Sequence, residues 1–253
     1  MRDPREGITA AGTITTGASR ERVPAPFEPV VASAVESVTA ASGRAGLYLY
    51  GSVATGQAVV GSSDVDLVAI GLDADRTGAI ASELSERFAA VCRGVDIGAG
   101  SPADHLGDDD EAYGNRVFLR HYCVHLAGPD HRGDLLDFPA DRRAARGFNG
   151  DIARHAAVWR TDLDGGGDPA VVGRRLARKS LLTVAGLVSV RDGVWTTDRA
   201  TAADAWSTTD PDVSTLLSWA MDETAPTTEQ VALALDGPVA RVVTAFEHAI
   251  GVW

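Results

Sequence analysis

The sequence predicts an α+β protein, in which a domain built around a β-sheet is followed by an all-helical domain. Short runs of aliphatic and aromatic residues bounded by Gly and Ser, typical of β-strands, lie in the first half of the chain. From residue 141 onward the apolar residues recur at helical spacing, with no convincing strand. We therefore predict a sheet domain over residues 26–139 and a helical-bundle domain over residues 140–253.

The first half is expected to alternate helices with strands. Residues 1–25 are polar and lack periodicity, so we expect them to form a disordered tail. A helix is expected from residue 27 to about 42, because apolar residues recur there three and four apart. The further elements are strands at 47–50 and 65–70, a helix from 73 or 75 to about 91, a strand at 93–98, a short helix ending at 121 and a strand at 122–126.

The second half is predicted to be a series of helices joined at Gly- and Pro-containing breaks. The longest is expected from residue 170 to about 190, because Asp168 and Pro169 supply an N-cap and a first-turn proline. The others are a helix that begins after residue 149 or 151, a helix at 213–221, and two helices from 227 onward that separate at 237–238.

Length and composition narrow the class of protein. The 253 residues suit one compact domain or two small ones, and the 45% hydrophobic content is that of a globular protein. No run approaches the ~18 apolar residues of a membrane span, and no apolar signal segment opens the chain. The two cysteines, Cys92 and Cys123, lack metal-ligand spacing and cannot form a disulfide framework. We expect a cytoplasmic protein with no membrane partner.

The charge of the chain bears on its partners. A formal net charge of −12 argues against sequence-independent nucleic-acid binding, which needs a basic surface. It suits a small polycationic substrate, although an acidic, Ala- and Gly-rich composition can also reflect the base composition of a genome. The charge alone is therefore weak support for a cationic partner. Among 23 basic residues, Lys179 is the only lysine.

A carboxylate pair lies at the start of the second predicted strand. Asp64 and Asp66 are two residues apart, so the alternation of a strand places both side chains on one face. Adjacent carboxylates repel each other unless a positive charge lies between them, and a divalent cation is the usual solution. These residues are therefore candidate metal ligands.

A Gly-Ser turn follows the preceding strand. Gly51 allows the backbone to approach a ligand closely, and Ser52 offers an N–H and a hydroxyl to phosphate oxygens. Phosphate donors next to a metal-binding carboxylate pair suggest metal-assisted nucleotidyl transfer. The alternative is a Gly-rich turn followed by an edge strand that carries two solvated aspartates.

The order Gly-Ser, eleven-residue spacer and Asp-Val-Asp-Leu over residues 51–67 resembles the signature of the polymerase-β-like nucleotidyltransferase superfamily. The resemblance covers about 25 residues and implies a mixed-sheet catalytic domain that binds ATP and one or two Mg²⁺ ions. It also implies a third acidic residue on the strand beside the Asp-x-Asp strand. We assign this place to Asp96, because the flanking Val95 and Ile97 would face the core.

In the superfamily the third carboxylate either shares the metal ions or takes the proton from the attacking hydroxyl. Related proteins often have Glu there, and the shorter Asp96 could favour metal ligation over base duty. Five other acidic residues lie in a loop-like run that is predicted to be a solvated surface: Asp104, Asp108, Asp109, Asp110 and Glu111.

A looser resemblance, over residues 120–253, is to aminoglycoside adenylyltransferases of the streptomycin/spectinomycin type. It rests on a strand that ends in Gly128-Pro129 and on a loop-then-helix at 190–206, where a basic residue of that family contacts the nucleotide phosphates. The corresponding residue here is Arg199, an arginine in place of lysine. The resemblance implies transfer of AMP to a hydroxyl of a small, cationic, aminoglycoside-type acceptor, as in antibiotic resistance by adenylylation.

The predicted long helix carries a basic patch formed by Arg174, Arg175, Arg178 and Lys179. Two interpretations remain open at this point: a solvated or salt-bridged face, or a face that meets the triphosphate. On the second interpretation, Lys179 and Arg199 are nucleotide-binding residues. Acidic residues of the helical half could bind the ammonium groups of the acceptor: Asp151, Asp162, Asp164 or Asp168.

A rival function is a nucleotidyltransferase module that acts on a protein partner, as in toxin–antitoxin systems. Arg241 and His248, separated by six residues, faintly resemble the Arg…His motif of helical ribonuclease toxins. The spacing arises easily by chance on an amphipathic helix. The acceptor, the modified hydroxyl, the nucleotide preference and the oligomeric state stay open at this level.

Overall fold

The computed structural model describes residues 2–133 and 135–253, and the chain divides into two compact units. The first unit comprises Met1–Thr9 and Thr13–Phe138, and the second comprises Ala10–Gly12 and Pro139–Trp253. The α+β prediction is confirmed. No helix among the described residues is long and apolar enough to cross a membrane.

A mixed four-stranded sheet forms the centre of the first unit. Its strands are β3 (Gly46–Tyr50), β4 (Val65–Ile70), β5 (Val95–Gly100) and β6 (Val124–Ala127), in the order β5-β4-β3-β6. Strand β3 is antiparallel to β4 and β6, whereas β4 and β5 are parallel. Parallel neighbours need a crossover connection, and α3 (Ala74–Arg87) provides it.

The alternation of side chains along the strands divides the core of the first unit between the two faces of the sheet. On one face Leu47, Leu49 and Leu67 are fully buried in a cluster with residues of α1 (Glu28–Ala41) and α3. On the other face Tyr48 and Ile70 pack with residues of α4 (Asp110–His121). Because these apolar positions alternate, the polar residues at the ends of the strands are placed on defined faces.

The helix α4 is longer than the sequence suggests, and it takes up the acidic run. Asp109 is its N-cap, since its carboxylate accepts a hydrogen bond from Ala112 N at 2.8 Å, and Asp110 and Glu111 fill the first turn. Carboxylates at these positions satisfy unpaired N–H groups and favour the positive end of the helix dipole. The run that was predicted to be a solvated loop is therefore partly a helix start.

The N-terminal segment departs from the predicted disordered tail at residues 1–25. It forms a small hairpin, β1 (Gly7–Ile8) with β2 (Ile14–Thr15), and two 3-10 turns, Arg20–Arg22 and Ala25–Phe27. Ile14 and Val23 are buried, and Ser19 N donates to Ala54 O at 3.0 Å. Single apolar anchors of this kind have no periodicity, which is why a pattern search does not detect them.

The second unit consists of helices arranged around α7 (Pro169–Asp192). These are α5 (Arg142–Asn149), α6 (Ile152–Asp164), α8 (Arg199–Trp206), α9 (Val213–Ala220), α10 (Thr228–Ala234) and α11 (Ala240–Ala249). Leu176, Leu181 and Val184 of α7 are fully buried, and α7 contacts each of the other six helices. The first turn of α7 is capped by Asp168, whose carboxylate accepts from Ala170 N at 2.9 Å.

The predicted break at Gly237-Pro238 is a π-type turn, Leu235–Val239, that joins α10 to α11. Gly237 has non-helical backbone angles (φ −105°, ψ −106°) inside this turn. Proline lacks the N–H that a regular helix would use at this point, so the chain kinks while it continues into the next helix.

Candidate functional site

Three side chains form a row at one end of the sheet in the first unit. Tyr50 of β3 is paired in register with Asp66 of β4, and Asp66 is paired in register with Asp96 of β5. Residues in register on neighbouring strands share a face, so the two carboxylates lie side by side. Asp96 is exposed, and its carboxylate makes no hydrogen bond to the part of the chain that the structure describes.

The carboxylate of Asp66 lies directly against Gly51, the first residue of the Gly-Ser turn. Gly51 has a φ of +72°, in the left-handed region that favours glycine, and it begins the short helix α2 (Gly51–Thr55). A Cβ at position 51 would collide with Asp66 Oδ2 and lie 3.2 Å from Asp66 Cγ. The Gly-Ser turn and the carboxylate are therefore neighbours in space, as a combined phosphate and metal site requires.

Ser52, the second residue of this turn, is partly exposed. Its side-chain oxygen has no hydrogen-bond partner among residues 2–133 and 135–253. A hydroxyl without an internal partner next to a carboxylate pair can donate to a ligand oxygen.

Asp64, the first residue of the Asp-x-Asp pattern, is engaged with an arginine. Arg93 Nε donates to Asp64 Oδ1 at 2.9 Å, and Arg93 Nη2 forms an ion pair with Asp64 Oδ2. Among the described residues, no three His, Cys, Asp or Glu side chains are grouped so that they could hold a metal ion. Of the three predicted metal ligands, Asp66 and Asp96 are in register on neighbouring strands, whereas both oxygens of Asp64 contact Arg93.

Tyr50 is a member of the row that sequence reasoning treats only as a strand residue. Its ring packs edge-to-face on Phe118 of α4, with 5.0 Å between the ring centroids. Burial, reinforced by the negative charges of Asp66 and Asp96, raises the pKa of the Tyr50 phenol above its usual value. The phenol is therefore a neutral hydroxyl beside the carboxylates. In the sequence, the only indication that Tyr50 belongs to this row is its position directly before Gly51.

Two of the alternative third carboxylates, Asp104 and Asp109, cap helices. Asp104 Oδ2 accepts from Ser101 N at 2.7 Å in a capping box, and Asp109 caps α4. In contrast, Asp96 is beside Asp66 in the sheet register. The geometry favours Asp96 over these two residues.

The basic patch on α7 of the second unit is mostly salt-bridged. Arg174 and Arg178 both form ion pairs with Asp222. Lys179 Nζ is 2.7 Å from Asp151 Oδ1 and donates to Phe148 O at 2.9 Å. The four residues of the patch therefore do not act as one free cationic surface.

Arg175 is the exception in this patch. It is exposed and has no ion pair within the described part of the chain. It also lines a cavity of about 460 Å³ in the second unit, together with His155, Trp159, Arg178, Lys179 and Arg199. The two residues predicted to bind nucleotide from the helical half, Lys179 and Arg199, thus line the same cavity.

The cavity combines cationic and aromatic groups. The rings of His155 and Trp159 are stacked, with 5.5 Å between centroids and an interplanar angle of 19°. Arg199 Nε donates to Arg178 O at 3.2 Å, which places the Arg199 guanidinium beside α7. Arginine groups next to an aromatic surface can bind an anion that also carries a ring.

Arg241, the arginine of the Arg…His spacing, forms ion pairs within the second unit. Arg241 of α11 donates to both carboxylate oxygens of Asp210, at 2.8 and 2.9 Å, and to Asp212 Oδ2 at 2.7 Å. Asp210 is 5% exposed, and the hydrogen bonds from Arg241 hold its pKa below the usual range. Arg241 therefore tethers α11 to the start of α9, which is a structural role.

The chain matches no family model and no curated protein sequence.

Proposed function

We propose that the chain is a metal-dependent nucleotidyltransferase that transfers AMP from ATP to a hydroxyl group of a small acceptor. The observation that carries the proposal is the in-register pair Asp66 and Asp96, with the Gly51 turn against Asp66. This places a carboxylate pair next to the backbone and hydroxyl donors of a Gly-Ser turn. Transfer of a nucleotidyl group requires carboxylates that bind the metal ion and, beside them, donors that bind the phosphates.

Asp66 and Asp96 would hold Mg²⁺, and Asp64 would join them if it were released from Arg93. When bound, Mg²⁺ offsets the negative charge of the nucleotide phosphates. Gly51 and Ser52 bind and orient the β- and γ-phosphates through the backbone and the Ser52 hydroxyl. The neutral Tyr50 hydroxyl can orient the reacting group beside Asp66.

The reaction exchanges one phosphorus–oxygen bond for another. The oxygen of the acceptor hydroxyl forms a bond to the α-phosphorus, and the bond from the α-phosphorus to the oxygen that bridges to the β-phosphate breaks. Pyrophosphate leaves with the electrons of that bond. The hydroxyl proton is taken by a carboxylate; the exposed Asp96 serves this step in the alternative in which it does not share the metal ion.

The cavity of the second unit supplies candidate phosphate contacts. Arg175 is a stronger candidate than Lys179, because Arg175 has no ion pair within the described part of the chain, whereas the charge of Lys179 is matched by Asp151. Arg199 lines the same cavity. For the acceptor we propose an aminoglycoside-type compound, which the resemblance over residues 120–253 implies. The net charge of −12 and the acidic Asp162 in the cavity wall are compatible with a cationic molecule.

Mass spectrometry tests the proposal. The purified protein is incubated with MgATP and a panel of aminoglycosides that includes streptomycin and spectinomycin. We expect one acceptor to gain the mass of an AMP group. Asp66→Asn should slow this reaction at least ~10²-fold, as the loss of a comparable charge stabiliser does.

The matched control is Glu86→Gln, which neutralises an exposed carboxylate on α3 that has no partner in the described part of the chain. It should react at the wild-type rate. Full activity of Asp66→Asn would contradict the assignment. Labelling of a protein in a cell lysate, with every small acceptor unchanged, would favour the module that acts on a protein partner.

A further inference from the structure

The ion pair of Asp64 and Arg93 is built into the parallel start of β4 and β5. Arg93 N donates to Ser63 O at 3.0 Å, and Val65 N donates to Gly94 O at 2.9 Å. These backbone bonds fix the two segments beside each other ahead of the strands. The register of the sheet therefore places Asp64 and Arg93 next to each other.

The contact involves both oxygens of the Asp64 carboxylate. A two-point contact between a guanidinium and a carboxylate is the strongest form of this ion pair. Gly94 lies beside this contact, since a Cβ at position 94 would be at an ordinary van der Waals distance of 3.7 Å from Asp64 Oδ1. A cation that binds at the Asp-x-Asp pair must take at least one of these oxygens from Arg93.

We propose that Arg93 competes with the divalent cation for Asp64 and so sets how readily the metal site is completed. The inference rests on the proposed function, in which Asp64 and Asp66 share a cation. With Arg93 on both oxygens of Asp64, that carboxylate is not available to the ion. When the ion recruits Asp64, the Arg93 guanidinium moves into solvent, to which its side chain is already 55% exposed.

An exposed ion pair can open at small cost, so the competition is a modest one. Arg93 is accordingly a positioning residue: it acts on the metal through Asp64 and touches neither substrate. Its removal should have two effects of the same sign, because Asp64 is released and a positive charge next to the cation disappears.

Direct metal binding tests the inference without any catalytic assay. Mn²⁺ is titrated into the nucleotide-free protein, and free Mn²⁺ is followed by electron paramagnetic resonance. We expect Arg93→Gln to bind Mn²⁺ about 2- to 5-fold more tightly than wild type, the range that corresponds to an exposed ion pair. Arg93→Lys, which keeps the charge but cannot make the two-point contact, should lie between them.

Two further variants separate competition from a general effect of charge. Arg44→Gln removes an exposed positive charge just before β3, at the end of that strand away from Tyr50, and should leave Mn²⁺ affinity unchanged. In an Asp64→Asn background, Arg93→Gln should have a smaller effect, since the contested carboxylate is gone and only the loss of the nearby positive charge remains.

The outcomes distinguish this inference from the proposed function. If Asp66→Asn abolishes Mn²⁺ binding but Arg93→Gln leaves it unchanged or weakens it, the competition is overturned and the proposed function stands. An equal effect of Arg93→Gln with and without Asp64 would also overturn the competition. If no variant binds Mn²⁺, both proposals fail.

Discussion

At the scale of single residues, the site depends on Gly51 for two reasons: its backbone conformation and its lack of a side chain. Gly51 occupies the left-handed region, and Asp66 fills the space where a Cβ would be. Gly61 has a similar φ of +75° but nothing within 4 Å of its Cβ position. The two glycines therefore allow the cost of the backbone conformation to be separated from the cost of the collision.

We expect Gly61→Ala to lower the free energy of unfolding by about 1 kcal/mol, the cost of a left-handed backbone for an L-residue. Gly51→Ala should lower it by about 2–4 kcal/mol, because Asp66 must also shift. Urea unfolding of both variants measures the difference. Equal losses would show that Asp66 does not lie against the turn.

His121 should make the stability of the first unit depend on pH, and the direction of this dependence can be predicted. Burial lowers the pKa of His121 to about 4, and its Nε2 accepts a hydrogen bond from Phe138 N at 2.8 Å. The unfolded chain, with an ordinary histidine pKa near ~6.5, then binds more protons than the folded chain between these values. Stability should therefore fall as the pH falls from about 6.5 towards 4.

Urea unfolding at pH 7 and pH 5 measures this effect. We expect His121 to account for a loss of about 1 kcal/mol, allowing for partial solvent screening. His121→Gln keeps an acceptor for Phe138 N but has no titratable group, so its stability should change less between the two pH values. A variant with the same pH dependence as wild type would contradict the assignment.

At the scale of elements, ion pairs connect the helices of the second unit. Lys179 of α7 reaches Asp151 at the start of α6, and both side chains are less than 20% exposed. The sequence suggests a phosphate-binding role for this single lysine. Its position assigns it first to the packing of two helices, and this interpretation can be tested against the phosphate role.

We expect Lys179→Met to lower the free energy of unfolding by about 1–3 kcal/mol, because Asp151 loses a charged partner in a mostly buried place. Arg175→Met, on the same helix, removes an exposed charge without an ion pair and should leave stability unchanged within about 0.5 kcal/mol. It should instead weaken ATP binding. Chemical denaturation and isothermal titration calorimetry measure the two effects. A stable Lys179→Met protein that has lost ATP binding would restore the phosphate role.

At the scale of the whole molecule, each unit has its own core and its own charged features. The first unit contains the carboxylate row and the Gly-Ser turn, and the second contains the cavity lined by Arg175 and Arg199. A net charge of −12 favours the approach of a cationic molecule to either unit.

Elements with a local signal, such as the alternation of a strand or the cap of a helix, could be predicted from the sequence. Contacts between residues far apart in the sequence could not. Strand β4 and helix α7 follow from alternation and from the Asp168-Pro169 cap, which are local signals. The contact of Asp64 with Arg93 joins residues 29 apart and depends on the parallel register of two strands. Neither residue type nor spacing contains that register, so the sequence predicts a free carboxylate where the structure has an ion pair.

The N-terminal segment and the Lys179 contact show the same limit. Ile14 and Val23 are isolated apolar residues whose burial depends on the surface they meet, and Asp151 is one of several acidic residues that could have faced Lys179. In contrast, the candidate row was predictable in part. Alternation puts Asp66 and Asp96 on a defined face, but the inclusion of Tyr50 needed the strand pairing.

The most direct test of nucleotidyl transfer follows the label of ATP. The purified protein is incubated with Mg²⁺ and the aminoglycoside panel, once with ATP labelled at the α-phosphorus and once with ATP labelled at the γ-phosphorus. We predict that the α label enters the acceptor and the γ label appears in pyrophosphate, and that Asp66→Asn prevents both. Transfer of the γ label to an acceptor would show a kinase reaction instead, and no transfer of either label would contradict the proposed activity.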